Sequence, residues 1–433
     1  MNYYSLNKKS PNVSFKEALI RGLAPDKGLY FPEKINRLPD SFISNIENYS
    51  NQEIAYKCIN QFIGQDIPES DLRKIINEVL SFDFPLVKLN SQISFLELFH
   101  GPTMAFKDVG ARFMSRCLEY FLSNQEENKP VTVLVATSGD TGGAVASGFY
   151  KVKGIKVVIL YPKGKVSNVQ EKQLTTLGEN ITALEVDGTF DDCQAMVKKA
   201  FLDNDLLNKI SLTSANSINV ARWLPQMFYF FFSYRDFKLS NSDKIAYSVP
   251  SGNFGNICAG MMAKEMGLPI DKFIASNNIN DVVNRYLKTE IYDSKPSIQT
   301  ISNAMDVGDP SNFVRISNIH KNDFNLIKEN LYACSFTDGE TVDGIKELIN
   351  EFNYIPDPHG AIGYLGAKDF LKSHPNYKCI ILETAHPAKF SEVINLYTNN
   401  LEIPSQISSV MDKKKESFTI ESYLAFKNYL LDR

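Results

Sequence analysis

Hydrophobic positions follow two different spacings along this chain of 433 residues. In FKEALIRGL and DLRKIINEVLSF, apolar residues recur every three or four positions, which is typical of helices that bury one face. After Phe84-Pro85, short apolar runs end in polar or glycine-rich turns, and most of them lead into helical sequence. We therefore predict a helical N-terminal domain over residues 1–82 and a second region of different architecture over residues 83–433.

The second region is predicted to contain buried, mostly parallel strands. Its apolar runs are VTVLVAT, IKVVILYP, ITALEV, KIAYSVP, KFIAS and YKCIILET. Strands that are buried on both faces read as continuous apolar runs, and their alternation with helices indicates an α/β fold with parallel sheets. Ligands of such sheets bind beyond the carboxyl ends of the strands, so we expect the functional residues in the turns that follow them.

Composition and charge exclude several classes of protein. Charged residues make up 22% of the chain and the net charge is -4, which leaves no basic excess for binding nucleic acid. The most apolar run, MFYFFFSY, is too short to span a bilayer and is predicted to form a buried helix. MNYYSLNKKS lacks the apolar core of a secretory signal, so we expect a cytoplasmic protein without membrane association. Six scattered cysteines and five histidines show no disulfide or metal-ligand spacing, and we expect no metal.

One candidate anion site is the turn Ser251-Gly252-Asn253-Phe254-Gly255-Asn256, which lies between a predicted strand and a predicted helix. Glycines allow backbone N–H groups to turn inward at a helix N-terminus, where a phosphate is favoured. The turn has no lysine of the Walker A kind. A tight turn that simply requires two glycines is the alternative at this point.

A second candidate site follows the strand VTVLVA. Its turn contains Thr137, Ser138, Gly139, Asp140 and Thr141, and hydroxyl groups together with inward N–H groups suit a carboxylate. The turn does not match G-x-G-x-x-G, and no acidic residue follows at the distance that would bind a ribose. A dinucleotide cofactor is therefore not expected.

Lys107, in LELFHGPTMAFKD, stands among apolar and small residues. Such a lysine usually extends to water or pairs with a carboxylate, because an unpaired buried charge is costly. The alternative is a desolvated amine that attacks a carbonyl group. Together with a phosphate site and a carboxylate site, it describes pyridoxal 5'-phosphate holding an amino acid, since the aldehyde of that cofactor condenses with a lysine amine.

Seven segments spread along the chain resemble the threonine synthase family of fold type II pyridoxal-phosphate enzymes. They are LELFHGPTMAFKD, VATSGDTGGAVA, VVILYPKGKVS, SANSINVARWLPQ, VPSGNFGN, SNAMDVGDPSNF and TAHPAKF. The resemblance covers nearly the whole chain, including the N-terminal segment. It implies mostly parallel sheets flanked by helices, with the cofactor in a cleft between two α/β subdomains.

The resemblance also implies roles for individual residues. Lys107 would form the Schiff base with the cofactor and later move protons, while Gly252, Asn253, Phe254, Gly255 and Asn256 would hold its phosphate. Thr384, in TAHPAKF, would be the partner of the pyridine nitrogen, with a turn or cap hydroxyl as the alternative. The turn from Thr137 to Thr141 would bind the substrate carboxylate.

Four residues remain open from the sequence. Asn219 and Arg222 are one helical turn apart and could meet an anionic substrate, although an arginine on a helix surface is the commoner case. Asp140 stands where relatives often carry asparagine, and a carboxylate there would repel the ring oxygen of the cofactor. Glu383 stands where relatives often carry a small residue, and strand alternation directs its side chain away from Thr384.

The function implied by the resemblance is the conversion of O-phospho-L-homoserine and water to L-threonine and phosphate, by a lyase that is a monomer or a homodimer. Two alternatives remain. A related enzyme could stop after loss of phosphate and release 2-oxobutyrate. The protein could also bind the cofactor without turnover.

Overall fold

The computed structural model describes residues 1–124, 130–237 and 243–432. Residues before 82 form a small sheet and four α-helices: β1 Asn2–Ser5, β2 Val13–Ser14, α1 Phe15–Arg21, β3 Tyr30–Pro32, α2 Asp40–Ser44, α3 Asn51–Ile63 and α4 Glu69–Val79. The helices α1 and α4 confirm the two periodic segments. Both α1 and α3 begin with a capping box, at Ser14 and Ser50, which satisfies N–H groups of the first turn.

The three strands of this segment are a difference from the sequence prediction, which was helical throughout. They form an antiparallel sheet in the order β2-β1-β3. Strands of two to four residues are too short for their alternation to be recognised in the sequence. Their stability comes from distant contacts, such as the Tyr3 hydroxyl, which donates to the Phe62 carbonyl over 2.8 Å.

The larger of the two remaining sheets has six strands in the order β12-β11-β10-β13-β5-β4. Its strands are β4 Leu86–Lys88, β5 Ile93–Glu97, β10 Lys244–Pro250, β11 Lys272–Asn277, β12 Leu331–Ser335 and β13 Tyr377–Glu383. All neighbours are parallel except β4, which pairs with β5 in the antiparallel direction. The helices of this part are α5 Lys107–Ser123, α10 Val220–Trp223, α11 Phe228–Asp236, α12 Gly255–Glu265, α13 Val282–Thr289, α14 Phe313–Ile319, α15 Phe324–Asn330, α16 Asp338–Phe352, α17 Pro358–Ser373 and α18 Ser391–Ile394.

The smaller sheet has five parallel strands in the order β14-β8-β7-β6-β9. Its strands are β6 Val131–Ala136, β7 Ile155–Pro162, β8 Ile181–Val186, β9 Ser211–Ser214 and β14 Phe418–Ile420. The helices with it are α6 Asp140–Phe149, α7 Asn168–Thr175, α8 Phe190–Ala200, α9 Asn204–Leu207, α19 Ser405–Met411 and α20 Tyr423–Leu431.

The predicted α/β fold with parallel sheets and flanking helices is confirmed. The six predicted strands are present, and the runs IKVVILYP, ITALEV and KIAYSVP coincide with β7, β8 and β10 from end to end. The aromatic run MFYFFFSY lies in the buried helix α11 and the turn before it. Within the described ranges, no helix is long and apolar enough to cross a membrane.

Candidate active site

A cavity lies where several strands of both parallel sheets end. The residues that line it follow the carboxyl ends of β5, β6, β9, β10 and β13, as expected for ligand sites of parallel sheets. Its empty volume, including the open mouth, is about 760 Å³, which is within the range of small-molecule sites. Lys107, Ser138, Arg222, Gly255 and Thr384 all line it, so segments far apart in sequence meet in one place.

Lys107 is brought to the cavity by the connection between β5 and α5. The backbone N–H of Phe106 donates to the carbonyl of Thr384 over 2.9 Å, and that of His386 donates to Met104 over 3.1 Å. A bridge between Ala105 and Ala385 completes the attachment. Lys107 therefore begins α5 beside the end of β13.

The electrostatic surroundings of Lys107 lower the basicity of its amine. Burial lowers its pKa to about 8; nearby Asp140 raises it, whereas the charges of Lys389 and Arg222 lower it further. Among the described residues no acceptor binds Nζ, whose one recorded contact is the Phe106 ring at 5.6 Å. Asp108, the next residue, is not its partner, because its carboxylate accepts the N–H and the hydroxyl of Thr103. A neutral amine is thus accessible near physiological pH.

The glycine-containing turn from Ser251 to Asn256 leads directly into α12, and Gly252 to Asn256 all line the cavity. Phe254 has a left-handed backbone, with φ of 59°, immediately before the first helical residue. A Cβ atom on Gly252 would lie 2.8 Å from the Cα of Met305, so only glycine fits there. The first N–H groups of a helix have no acceptors within it, and this turn directs them toward the cavity.

Only some residues of the turn from Thr137 to Thr141 line the cavity. Ser138, Asp140 and Thr141 line the cavity, whereas Thr137 and Gly139 do not. The Thr137 hydroxyl accepts the N–H groups of Gly139 and Gly142, over 2.9 and 2.8 Å, and donates to the Gly139 carbonyl. The polar groups of Thr137 and Gly139 thus bind one another and shape the turn, and their contact with the substrate stays a prediction.

Asp140 is paired with a lysine that the sequence reasoning did not identify. Lys389 Nζ lies 2.7 Å from Asp140 Oδ1, and both side chains are almost completely buried. Gln170 also donates to Asp140, over 3.1 Å. Burial raises the pKa of Asp140, but the charges of Lys389 and then Lys107 hold it well below its ordinary value. The pairing removes the unneutralised charge that the sequence had suggested at this position.

Asn219 and Arg222 have different environments. Asn219 caps α10 by accepting the N–H of Ala221, and its amide donates to the carbonyls of Leu19 and Ser214 over 2.9 and 3.0 Å. These contacts occupy the side chain of Asn219, which does not line the cavity, and its contact with the substrate stays a prediction. Arg222 lines the cavity with 3% of its surface exposed, so it is not a surface arginine. Burial lowers its pKa to about 10, which leaves it charged at neutral pH.

Glu383 is the last residue of β13 and Thr384 follows it, and only one of the two side chains lines the cavity. Thr384 lines the cavity. Glu383 does not, and its Oε1 accepts the N–H of Asp357 over 2.7 Å. Burial, followed by the charge of Asp357, raises the pKa of Glu383 well above its ordinary value, so this carboxyl is neutral. The alternation expected from the sequence is confirmed.

Several cavity residues were missed by the sequence reasoning. They are Asn216, Ser217, Gln226 and His359, and Lys389 lies behind Asp140. Asn216 and Ser217 stand in the same segment as Arg222, so their nearness could have been inferred. His359 and Lys389 carry no comparable signal, because they become cavity neighbours only through the packing of α17 and the turn after β13.

Comparison with known proteins identifies the relatives of this chain. Residues 84–383 match the family model described as pyridoxal-phosphate dependent enzyme, residues 2–80 match threonine synthase N terminus, and residues 360–429 match threonine synthase, C-terminal. Threonine synthase of Buchnera aphidicola subsp. Baizongia pistaciae is 41% identical over the whole of both chains. The chain belongs to the threonine synthase family.

Solved structures of that family have the same fold. Threonine synthase from Escherichia coli superposes with a TM-score of 0.94 at 39% identity, covering 100% of both chains. The PLP-bound threonine synthase from Brucella melitensis superposes with a TM-score of 0.90 at 33% identity, covering 100% of this chain and 99% of the other. Pyridoxal phosphate is the cofactor of the family.

The cavity fits this cofactor. The turn from Gly252 to Asn256 lines the cavity at the N-terminus of α12, where a phosphate is favoured. Arg222 Nε and Gln226 Oε1 are buried without partners among the described residues, and both residues line the cavity. Unpaired buried polar atoms are uncommon in proteins, so a polar ligand is expected beside them.

Proposed function

We propose that this protein is a threonine synthase that converts O-phospho-L-homoserine and water to L-threonine and phosphate. The observation that carries the proposal is the position of Lys107, a partly buried amine without an acceptor among the described residues, in the same cavity as a helix N-terminus suited to a phosphate. Identity of 41% over the full length of a threonine synthase supports the choice of reaction.

Lys107 Nζ is assigned the covalent bond to the cofactor aldehyde and, when released, the removal of the α-proton of the substrate. Its lowered pKa supports both roles, because each requires a neutral amine. Bound pyridoxal phosphate would withdraw electrons from the carbon atoms that lose protons. The turn from Gly252 to Asn256 is assigned its phosphate, and the Thr384 hydroxyl its pyridine nitrogen.

The substrate is assigned two anchoring groups. Ser138 and Thr141 are proposed to bind its carboxylate through hydroxyl and N–H groups at the start of α6. Arg222 is proposed to bind its phosphate together with Ser217, because a buried arginine suits a dianion. Asp140, already neutralised by Lys389, is assigned no direct contact with an anionic substrate group.

Turnover in heavy-oxygen water tests the proposed reaction. If water adds to the β-carbon in the site, the label enters the hydroxyl of threonine, and phosphate keeps its original oxygen atoms. Threonine and phosphate then form in equal amounts. If 2-oxobutyrate is the main product, the protein is an eliminase, and if no phosphate is released it is a silent binding protein.

Homoserine is the matched control for substrate recognition. It lacks the phosphate, so Arg222 would have no anion to bind, and hydroxide is a poor leaving group. We expect it to react far more slowly than the phosphate ester.

Three further predictions are the domain boundary near residue 82, the monomeric or dimeric state and the cytoplasmic location. Limited proteolysis tests the boundary, sedimentation tests the oligomeric state, and cell fractionation tests the location.

A further inference from the structure

His359 is a buried histidine in the first turn of α17, and it lines the cavity that contains Lys107. Only 1% of its surface is exposed. Its Nδ1 lies 2.9 Å from Asp357 Oδ2, whereas its Nε2 has no hydrogen-bond partner within the described part of the chain. A buried polar nitrogen rarely stays unpaired, so the cavity side of this ring is suited to a group that enters the cavity.

The ring of His359 is held in one orientation. Asp357 is itself fixed, because its Oδ1 accepts the N–H of Gly360 over 2.6 Å and its own N–H donates to Glu383. The ring of Phe390 meets the imidazole edge to face, with centroids 5.0 Å apart. An aspartate that accepts Nδ1–H leaves the lone pair of the neutral ring on Nε2. The free atom of His359 is therefore a base when neutral and an acid when protonated.

The other charged groups near His359 are already neutralised or bound. Those that act on it are Asp357 before α17, Asp140 on α6 and Asp306 in the loop before α14. Glu383, Lys107 and Lys389 act in turn on Asp357 or Asp140. Asp140 is paired with Lys389, and burial keeps Glu383 protonated. Asp306, whose pKa burial raises to about 7, accepts hydrogen bonds from Thr300 and Asn278. Lys107 and His359 are thus the two described cavity residues with an unpaired nitrogen that can act as a base, since the unpaired Nε of Arg222 belongs to a guanidinium that stays charged.

We propose that His359 is a second acid–base residue of this site, acting through Nε2 while Asp357 positions Nδ1. The inference rests on the proposed function, since that reaction moves more protons than the one at the α-carbon. After Lys107 has taken the α-proton, Nε2 takes a proton from the β-carbon. The electron pair of that C–H bond forms the bond between the β- and γ-carbons, and the C–O pair leaves on the phosphate oxygen. The imidazolium, stabilised by Asp357, then gives its proton to that oxygen and completes hydrogen phosphate.

Hydrogen exchange separates the two proton transfers. The probe is the phosphonate analogue of the substrate, in which a CH₂ group replaces the ester oxygen, so that nothing can leave. Its α- and β-hydrogens are followed by NMR in D₂O with the holoenzyme. We expect His359→Gln to keep α-exchange within about threefold of the unmutated protein and to slow β-exchange by about 100-fold or more, the usual size of an acid–base contribution.

Two further variants serve as controls for position and for fold. Asp357→Asn keeps an acceptor for the Gly360 N–H but turns an amide donor toward Nδ1, which moves the ring proton to Nε2. It is expected to slow β-exchange by about tenfold or more, again with α-exchange retained. His320→Gln replaces another buried histidine, whose Nδ1 contacts the Ile316 carbonyl outside the cavity, and should change neither rate.

A readout independent of catalysis is the ¹⁵N spectrum of histidine-labelled holoenzyme, in which the His359→Gln spectrum assigns the signal. We expect a neutral ring protonated on Nδ1, with an Nε2 signal that shifts when the phosphonate binds. A ring protonated on Nε2, an unchanged ratio of β- to α-exchange in His359→Gln, or equal loss of both rates together with the visible cofactor band would overturn the proposal. Failure of the unmutated protein to form threonine would instead reject the proposed function.

Discussion

Lys107 and Lys389 are two lysines near the same carboxylate, the first partly buried and the second fully buried, and they have opposite environments. Lys389 is fully buried, pairs with Asp140 over 2.7 Å and donates to the Thr103 carbonyl over 3.0 Å. Lys107 has no acceptor among the described residues, and burial lowers its pKa to about 8. Both charges lower the pKa of Asp140. Burial alone therefore does not make a lysine reactive; an amine must also lack a partner that would keep it charged.

Glu383 and Asp140 show the same contrast between an unpaired and a paired buried group. Glu383 is as deeply buried as Asp140, but it has no cation and its Oε2 is unpaired among the described residues. Its pKa is raised, whereas that of Asp140 is lowered. The unpaired groups Lys107 and Glu383 have pKa values shifted toward the neutral form, whereas the paired Asp140 has a pKa shifted toward the charged form.

The largest effect is expected from Lys107→Ala, which removes the unpaired amine. Loss of the covalent attachment and of the base should lower turnover by at least about 1000-fold, the scale of an acid–base group. The visible absorbance of the lysine-bound cofactor should disappear while circular dichroism stays unchanged. A variant that keeps both the absorbance and the activity would show that another lysine has this role.

Replacement of the paired lysine should instead affect stability. Lys389→Met leaves Asp140 as an unneutralised buried charge, which costs about 3–5 kcal/mol of unfolding free energy. Chemical denaturation measures this loss. The double variant Asp140→Asn, Lys389→Met removes both charges and should recover much of it. If the double variant is no more stable than Lys389→Met, the ion pair is not the reason for the loss.

Glu383→Gln tests the neutral state of the unpaired carboxyl. A carboxyl whose folded pKa lies above its unfolded value, near 4.5, loses stability as pH rises between the two values. The unmutated protein should therefore lose stability relative to Glu383→Gln between pH 5 and pH 8. Denaturation at both pH values measures this difference, and a constant difference would mean that Glu383 is charged throughout.

The smallest effect is expected in the turn from Gly252 to Asn256. This turn is assigned the cofactor phosphate, and it would hold the cofactor within reach of Lys107 but not of Lys389. A Cβ atom on Gly255 would lie 3.1 Å from Ser217 Cβ, so Gly255→Ala narrows the turn. We expect cofactor affinity to fall about tenfold, or about 1.4 kcal/mol. The control is Gly339→Ala in the exposed first turn of α16, where a Cβ meets nothing closer than 3.9 Å. Equal affinities in titrations of the apo-proteins would contradict the assignment of the phosphate.

Long apolar runs and glycine turns could be interpreted from the sequence because their signals are local. The strands β7, β8 and β10 and the cavity position of Lys107 follow from residues that are neighbours in the chain or from turns at strand ends. The short strands β2 and β3, which both pair with β1, could not be recognised, since too few residues carry the alternation.

Residues whose surroundings depend on distant partners could not be interpreted from the sequence or were missed. Asn219 looked like a substrate ligand, but its amide binds the Leu19 carbonyl, 200 residues away. Asp140 could not be interpreted until Lys389 was found beside it, 249 positions later in the sequence. His359 gained meaning only when the orientation of its ring by Asp357 left Nε2 free. Such pairings are set by tertiary packing, which leaves no local pattern.

The most direct test of the account is to reduce the holoenzyme with borohydride and locate the cofactor on a peptide by mass spectrometry. Reduction fixes the cofactor to whichever amine holds its aldehyde. The account predicts the added mass on Lys107 alone, with Lys389 unmodified at every pH at which the protein is folded. Modification of Lys389, or an equal distribution over both lysines, would contradict the claim that the unpaired amine is the reactive one.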